Sequence, residues 1–205
     1  MFGEEHPSTA ESYHSLGVTR CKQGDFSSAR QSNQRALDIS LKLFGEEHSR
    51  TADSHFSLGA TKLQQGEYFL AHQSAMRALD IRIKLFGEEN PSTADSYHLL
   101  GVTQHKQGDF SSALQSKQRA LDIRLKLFGE EHSITADSYC SLGDTQKAVG
   151  DFSSALQSKQ HALDIRLKMF RKRHQTTTDS YHSLGATKHK QGDFSSAVQS
   201  KKRAL

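Results

Sequence analysis

Twelve histidines stand in this sequence, and histidine is the side chain most often found holding a transition metal or moving a proton near neutral pH. The spacing decides whether they could hold a metal. The pairs His48/His55, His98/His105 and His182/His189 are seven residues apart, which on one helix is about 10 Å along the axis. Histidines that share a zinc ion from one helix stand four apart, so that both rings face the same way. No pair here does, and no metal site and no cofactor are expected; the histidines read as groove or surface residues.

Ser, His and Asp recur together in DSYHSLG, the residue types of a nucleophile, a base and its orienting acid. Repetition speaks against that chemistry, because an enzyme needs one constellation and this stretch recurs along the chain. GxSxG, GxxxxGK[ST] and HExxH are all missing. The expectation is a binding protein and not an enzyme.

The elements that carry these residues repeat. Phenylalanines 2, 44, 86, 128 and 170 fix a period of 42 residues, and residues 2–43 match residues 86–127 at 34 of 42 positions without a gap. A period of this size signals stacked units that each contact their neighbours, and not one central core. The reading is a single array over 1–205 with units at 2–43, 44–85, 86–127, 128–169 and a shorter 170–205, cut from a longer array. Composition agrees, with 34% hydrophobic residues, enough for one apolar stripe per helix. No apolar run reaches membrane-spanning length. Cys21 and Cys140 fall at non-equivalent positions and form no CxxC, which suits a free-thiol, cytoplasmic protein.

Each unit resolves into two helices. In the third, the start is placed at Thr93, with Asp95 in the first turn where an anion suits the helix dipole. Tyr97, Leu100, Gly101 and Gln104 then mark one face. Gln107, Gly108 and Asp109 form a turn, with Asp109 capping the next helix. Phe110, Ala113, Leu114, Ala120, Leu121, Leu125 and Phe128 are the expected apolar stripe of the second helix, and Gly129 its left-handed cap.

Tyr97, Leu100, Gly101, Ala113 and Ala120 together resemble the tetratricopeptide repeat, in a long 42-residue form similar to kinesin light chain and nephrocystin-type repeats. The resemblance spans the chain and implies an all-α fold, a right-handed α-solenoid of stacked antiparallel helix pairs whose first helices line a concave, peptide-binding groove. His55 stands where the other units have tyrosine. Two columns depart from the pattern, with Arg20, Lys62, Gln104, Gln146 and Lys188 at one expected ring, and Asn33, Ala75, Lys117, Lys159 and Lys201 at the other. Each lost ring removes roughly 1.5–3 kcal/mol of burial, so the array is expected to be marginally stable, with the longer second helix compensating in part.

The groove implied by that fold carries His14, Val18 and Lys22 from the first unit, then Phe56 and Leu63 from the second. The third adds His98, Val102, His105 and Lys106, the fourth Cys140 and Lys147, and the fifth His182, His189 and Lys190. Asp53, Asp95, Asp137 and Asp179 edge the same face. Much of the variation between units falls in one column of it, Cys21, Leu63, His105, Lys147 and His189, beside the constant Thr61, Thr103 and Thr145. The expected partner is a protein segment, acidic with an apolar anchor. An alternative is that the array senses or oligomerises within a larger signalling protein.

The net charge of +4 comes from one place. The first three units are neutral, the fourth carries −2 and the fifth +6, through Arg171, Lys172, Arg173, Lys201, Lys202 and Arg203 among others. No aromatic residue is interleaved there for base stacking. A nucleic-acid partner is therefore not expected, nor is a membrane.

Overall fold

A computed structural model describes residues 6–169 and 174–203, apart from the Lys201 side chain. All the regular structure among these residues is helical. Five helices, α1 (Pro7–Lys22), α2 (Phe26–Phe44), α3 (Ser49–Gln64), α4 (Tyr68–Phe86) and α5 (Pro91–Gln107), belong to a first compact unit, Met1–Asp109. The second unit, Phe110–Leu205, holds α6 (Phe110–Phe128), α7 (Ser133–Ala148), α8 (Phe152–Met169), α9 (Gln175–Gln191) and α10 (Phe194–Arg203). In the first unit α2 packs on α1 and α3, and α4 on α3 and α5; in the second, α7 packs on α6 and α8, and α9 on α8 and α10.

The first helices begin at the corner, before the threonine. Asn90 Oδ1 accepts the Ser92 N–H at 2.9 Å, and the Nδ1 atoms of His6, His48 and His132 accept equivalent N–H groups at 3.1–3.2 Å. The start is thus Pro91 and not Thr93, and Asp95 stands beyond the first turn. Thr51, Thr93 and Thr135 are instead fully buried, each hydroxyl donating to the carbonyl of the corner glycine, Gly45, Gly87 or Gly129, at 2.8–2.9 Å. Gly129 has the positive φ, 79°, that a glycine cap takes, and Gly45 and Gly87 are not in the left-handed helical region. Gly45 has φ 80° and ψ −175°, and Gly87 φ 78° and ψ 177°, a region essentially confined to glycine. The left-handed caps are the turn glycines Gly108 and Gly192, which end the first helices.

Three second helices are capped at the position read for Asp109: Asp25, Asp151 and Asp193 each accept the N–H of the residue three further on, at 3.0–3.1 Å. Their buried stripe differs from the expected one. On α6, Ala113, Ala120 and Leu121 are buried as read, but so are Ser116, Lys117, Ile123 and Arg124. Phe128 is 36% exposed and stacks on the capping ring of His132, as Phe44 does on His48. The end of the second helix contributes partly buried apolar side chains, Ile83 and Leu167 among them, while Phe128 stays at the surface.

Polar bridges fill the two columns that lack rings. Arg20 Nη1 donates to Ser32 Oγ at 2.9 Å, Lys62 Nζ to Ser74 Oγ at 3.1 Å, and Ser158 Oγ to Gln146 Oε1 at 2.8 Å. From the other column, Asn33 donates to Thr61 Oγ1 at 2.9 Å and Lys117 Nζ to Thr145 Oγ1 at 2.7 Å. Lys159 Nζ reaches Ser183 Oγ at 2.7 Å and Asp144 Oδ1 at 2.6 Å. A buried polar group is tolerable only when bonded in this way. The Leu-Gly step lets these helices approach, since a Cβ on Gly59 or Gly143 would lie 3.2–3.3 Å from the carbonyl oxygen of Ala71 or Ala155.

Candidate functional site

Within the first unit, α3 touches both α1 and α5, so the face carried by first helices is a real packing layer. Several groove candidates are spent partly on that packing. His14 lies half-buried with Nδ1 3.4 Å from Ser57 Oγ, and the Cys21 sulfur lies 3.1 Å from Thr61 Oγ1. Val18 is half-buried and Lys22 exposed. Phe56, Ala60 and Leu63 pack against the buried cluster of Ala75, Leu79, Leu99 and Leu100, leaving part of each to solvent. On α5, His98, Val102 and His105 are half-buried while Lys106 is exposed.

A cleft of about 260 Å³ opens between α1 and α3, lined by Glu11, His14, Arg50, Asp53 and Ser54 among others. Its charged rim is organised by two arginines. Arg50 donates to the Pro7 carbonyl at 3.1 Å and stands 3.7 Å from Glu11. Arg82, only 5% exposed, reaches out from α4 to Asp53 at 2.8 Å while bonding the Ser92 carbonyl and Ser96 Oγ, both at 2.8 Å. Its guanidinium also lies 4.6 Å over the Phe56 ring, a cation–π contact that fixes the ring's orientation.

The second unit repeats the device. Arg166 of α8 bonds Asp137 of α7 and Ser180 of α9, both at 2.5 Å. Cys140 and Tyr139 lie against Ala136, Ala162 and Ile165, and burial pushes the Cys140 thiol above its usual range. Lys147 is half-buried, 3.8 Å from Asp144, a carboxylate that also holds Lys159. Burial pulls the Lys159 ammonium below the usual lysine range, against the opposing pull of Asp144. His182, His189 and Lys190 are exposed, and the His189 and Phe194 rings meet in a T-shaped contact with ring centres 5.0 Å apart.

The expected residues therefore divide. Lys22, Lys106, His182, His189 and Lys190 are open to solvent; the others contribute only part of their surface. Sequence reasoning missed Arg82 and Arg166, the residues that order the acidic edge. The available signal was an arginine interrupting the apolar stripe at the position Ser40 holds in the first repeat. Among the described residues no group of three His, Cys, Asp or Glu side chains could hold a metal ion, and no helix is long and apolar enough to cross a membrane. The basic corner Arg171–Lys172–Arg173 and the Lys201 side chain lie outside the described residues; Lys202 and Arg203 are exposed.

A family model described as tetratricopeptide repeat matches residues 8–84, 58–126 and 116–168. No curated protein matches. Among solved structures, a Podospora anserina putative kinesin light chain with nearly identical TPR-like repeats is similar at TM-score 0.84 and 22% identity, over 97% of this chain and 94% of that one. BtubC (BKLC) from P. vanneervenii is similar at TM-score 0.84 and 24% identity, over 97% of this chain and 79% of that one. A Rap protein complexed with competence and sporulation factor follows at TM-score 0.78 and 20% identity, over 94% of this chain and 52% of that one.

Proposed function

The chain belongs to the tetratricopeptide-repeat family, and from that premise we propose that it is a protein-interaction scaffold holding a polypeptide segment against the open faces of its first helices. One observation carries the reading. The threonine column on the first helices stays constant, and Thr61 and Thr145 in it are each bonded from the preceding helix pair, while the neighbouring column changes through Cys21, Leu63, His105, Lys147 and His189. A frame held fixed beneath a varied surface is what selective recognition needs.

In the first unit the ligand meets the half-exposed apolar side of Phe56 and Leu63, then His98, His105 and Lys106. In the second it meets Cys140, Lys147, His182, His189 and Lys190. These cations and imidazoles favour an acidic segment with an apolar anchor. The similarity to a Rap protein complexed with competence and sporulation factor supports a binding role for such a fold. A single array of five repeat units and a cytoplasmic setting belong to the same proposal, the latter supported by Cys21 and Cys140 standing free.

The test is fluorescence anisotropy with labelled acidic peptides, each bearing one leucine or phenylalanine. Lys106→Glu and Lys190→Glu are each expected to weaken binding by about fivefold or more, and Phe56→Ala to remove the preference for the apolar anchor. Affinity unchanged in all three variants would refute the proposal.

A further inference from the structure

The outward face of α4 is unlike that of its sibling helices. Phe69 stands where the other repeats carry Ser27, Ser111, Ser153 and Ser195. Leu70 replaces Ser28, Ser112, Ser154 and Ser196, and Met76 replaces Gln34, Gln118, Gln160 and Lys202. None of these changes serves the core. Phe69 is 66% exposed, and Leu70 and Met76 are each 38% exposed, while the buried side of the helix runs through Ala71, Ser74, Ala75, Ala78 and Leu79. The same helix has also lost its side-chain cap, since Glu67 in place of aspartate makes no capping bond and pairs with Arg30 at 2.6 Å instead. Three apolar residues have together replaced polar ones on one solvent face of this helix, which marks a contact surface and not packing.

The pattern of that face names its occupant. At about 100° per residue, residues 69, 70, 73, 76, 77 and 80 fall within an arc of roughly 120°. Laid antiparallel on a second α4 and centred on Gln73, the face is complementary to itself. Phe69 then opposes the second copy's Arg77, an exposed guanidinium suited to an aromatic ring. Leu70 opposes the second copy's Met76, and Gln73 opposes its own counterpart on the axis. Such self-complementarity is the requirement of a two-fold dimer, the commonest closed assembly. We propose that two copies of this chain associate through α4 in this isologous arrangement, as a weak dimer, because a single-helix contact falls at the small end of specific interfaces.

The chain's own repeats supply a conservative test. Phe69→Ser, Leu70→Ser and Met76→Gln together restore what the siblings carry, so the helix is expected to fold unchanged. Sedimentation velocity of the full chain over roughly 1 to 200 µM should show concentration-dependent dimerisation, and the triple variant should raise the dissociation constant by about tenfold or more, with an unaltered circular-dichroism melt. In a Cys21→Ser, Cys140→Ser background whose melt is checked first, Gln73→Cys should form a disulfide-linked dimer, because only a residue on the axis meets itself. Gln31→Cys, the equivalent on α2, should not. A wild-type chain monomeric throughout, as expected if the patch serves a different protein or a lipid surface, overturns the proposal. So does dimerisation that the triple variant leaves intact, or a Gln73→Cys link no faster than the Gln31→Cys one.

Discussion

Lys159 donates to Ser183 Oγ at 2.7 Å from a side chain only 1% exposed, tying α8 to the next first helix. It holds Asp144 at 2.6 Å as well. The equivalent link is Asn33 to Thr61 in the first unit, and Lys117 to Thr145 in the second. Where this column turns apolar, at Ala75, its neighbour changes with it. Leu99 sits buried in one cluster with Ala75, at the position that Ser57, Ser141 and Ser183 hold elsewhere. The helix-to-helix boundaries thus come in two chemistries, one bonded and one oily, and each is matched on both sides.

Removing Lys159 should therefore cost more than a surface lysine. Lys159→Ala empties a packed site and leaves Asp144 without its bonded cation, an expected loss of about 1–3 kcal/mol in urea unfolding. Lys168→Ala, whose partner is the exposed Glu131, should cost about 0–1 kcal/mol. Equal losses for the two variants would show that the buried bridge does not hold α8 to α9.

The matching can be tested at the oily boundary. Leu99→Ser alone should destabilise by about 2–4 kcal/mol, since it removes a buried side chain and leaves a hydroxyl among apolar groups. Ala75→Lys alone buries a cation without its serine. The double change rebuilds the sibling chemistry, so a double-mutant cycle should show favourable coupling of about 1 kcal/mol or more. Strictly additive losses would sink the idea that the two positions are matched.

Much of this was legible in the sequence, and the parts that were not share a cause. The 42-residue period and the Tyr97, Leu100, Gly101, Gln104 face located the helices, because apolar spacing reports burial directly. The burial of Lys117, Lys159 and Arg82 is not legible there, because a charged side chain ordinarily marks solvent. Their burial depends on serine and threonine partners 14 to 28 residues away, Ser96 for Arg82 and Thr145 for Lys117, which no local pattern shows. The capping histidines were missed because Nδ1 is rarely counted as an N-cap acceptor, although Asn90 in the same column is a common one. On the candidate site, differences between repeats mark the varied face, but how far Phe56 and Leu63 sink into their neighbours needed the fold.

That capping role gives a direct measurement. His48→Ala removes the acceptor for the Arg50 N–H and the ring that stacks on Phe44 at 4.4 Å, and should cost about 1 kcal/mol. His48→Asn reproduces the cap that Asn90 makes at the third repeat and should recover most of the loss. Thermal melts of the two variants separate capping from mere bulk: if asparagine is no better than alanine, the hydrogen bond is not what stabilises the corner.

His55 supplies the pH dependence. It occupies the position of Tyr13, Tyr97, Tyr139 and Tyr181, half-buried, and burial is the first cause holding its imidazole below the usual range, with repulsion from Arg77 and Lys62 added and Glu46 opposing. The unfolded chain therefore binds this proton more readily than the folded one. With the folded value depressed, no penalty exists above the unfolded value of about 6.5. Stability falls as pH drops through that value and levels off once the folded imidazole is charged too. His55→Tyr, which installs the sibling residue, cannot take up that proton. The gap in melting temperature between variant and wild type should widen steadily from pH 7.5 to pH 5, measured at constant ionic strength because Arg77 and Lys62 act through a screened field. A gap that stays constant across that range would show that His55 is solvated well enough to titrate without consequence for the fold.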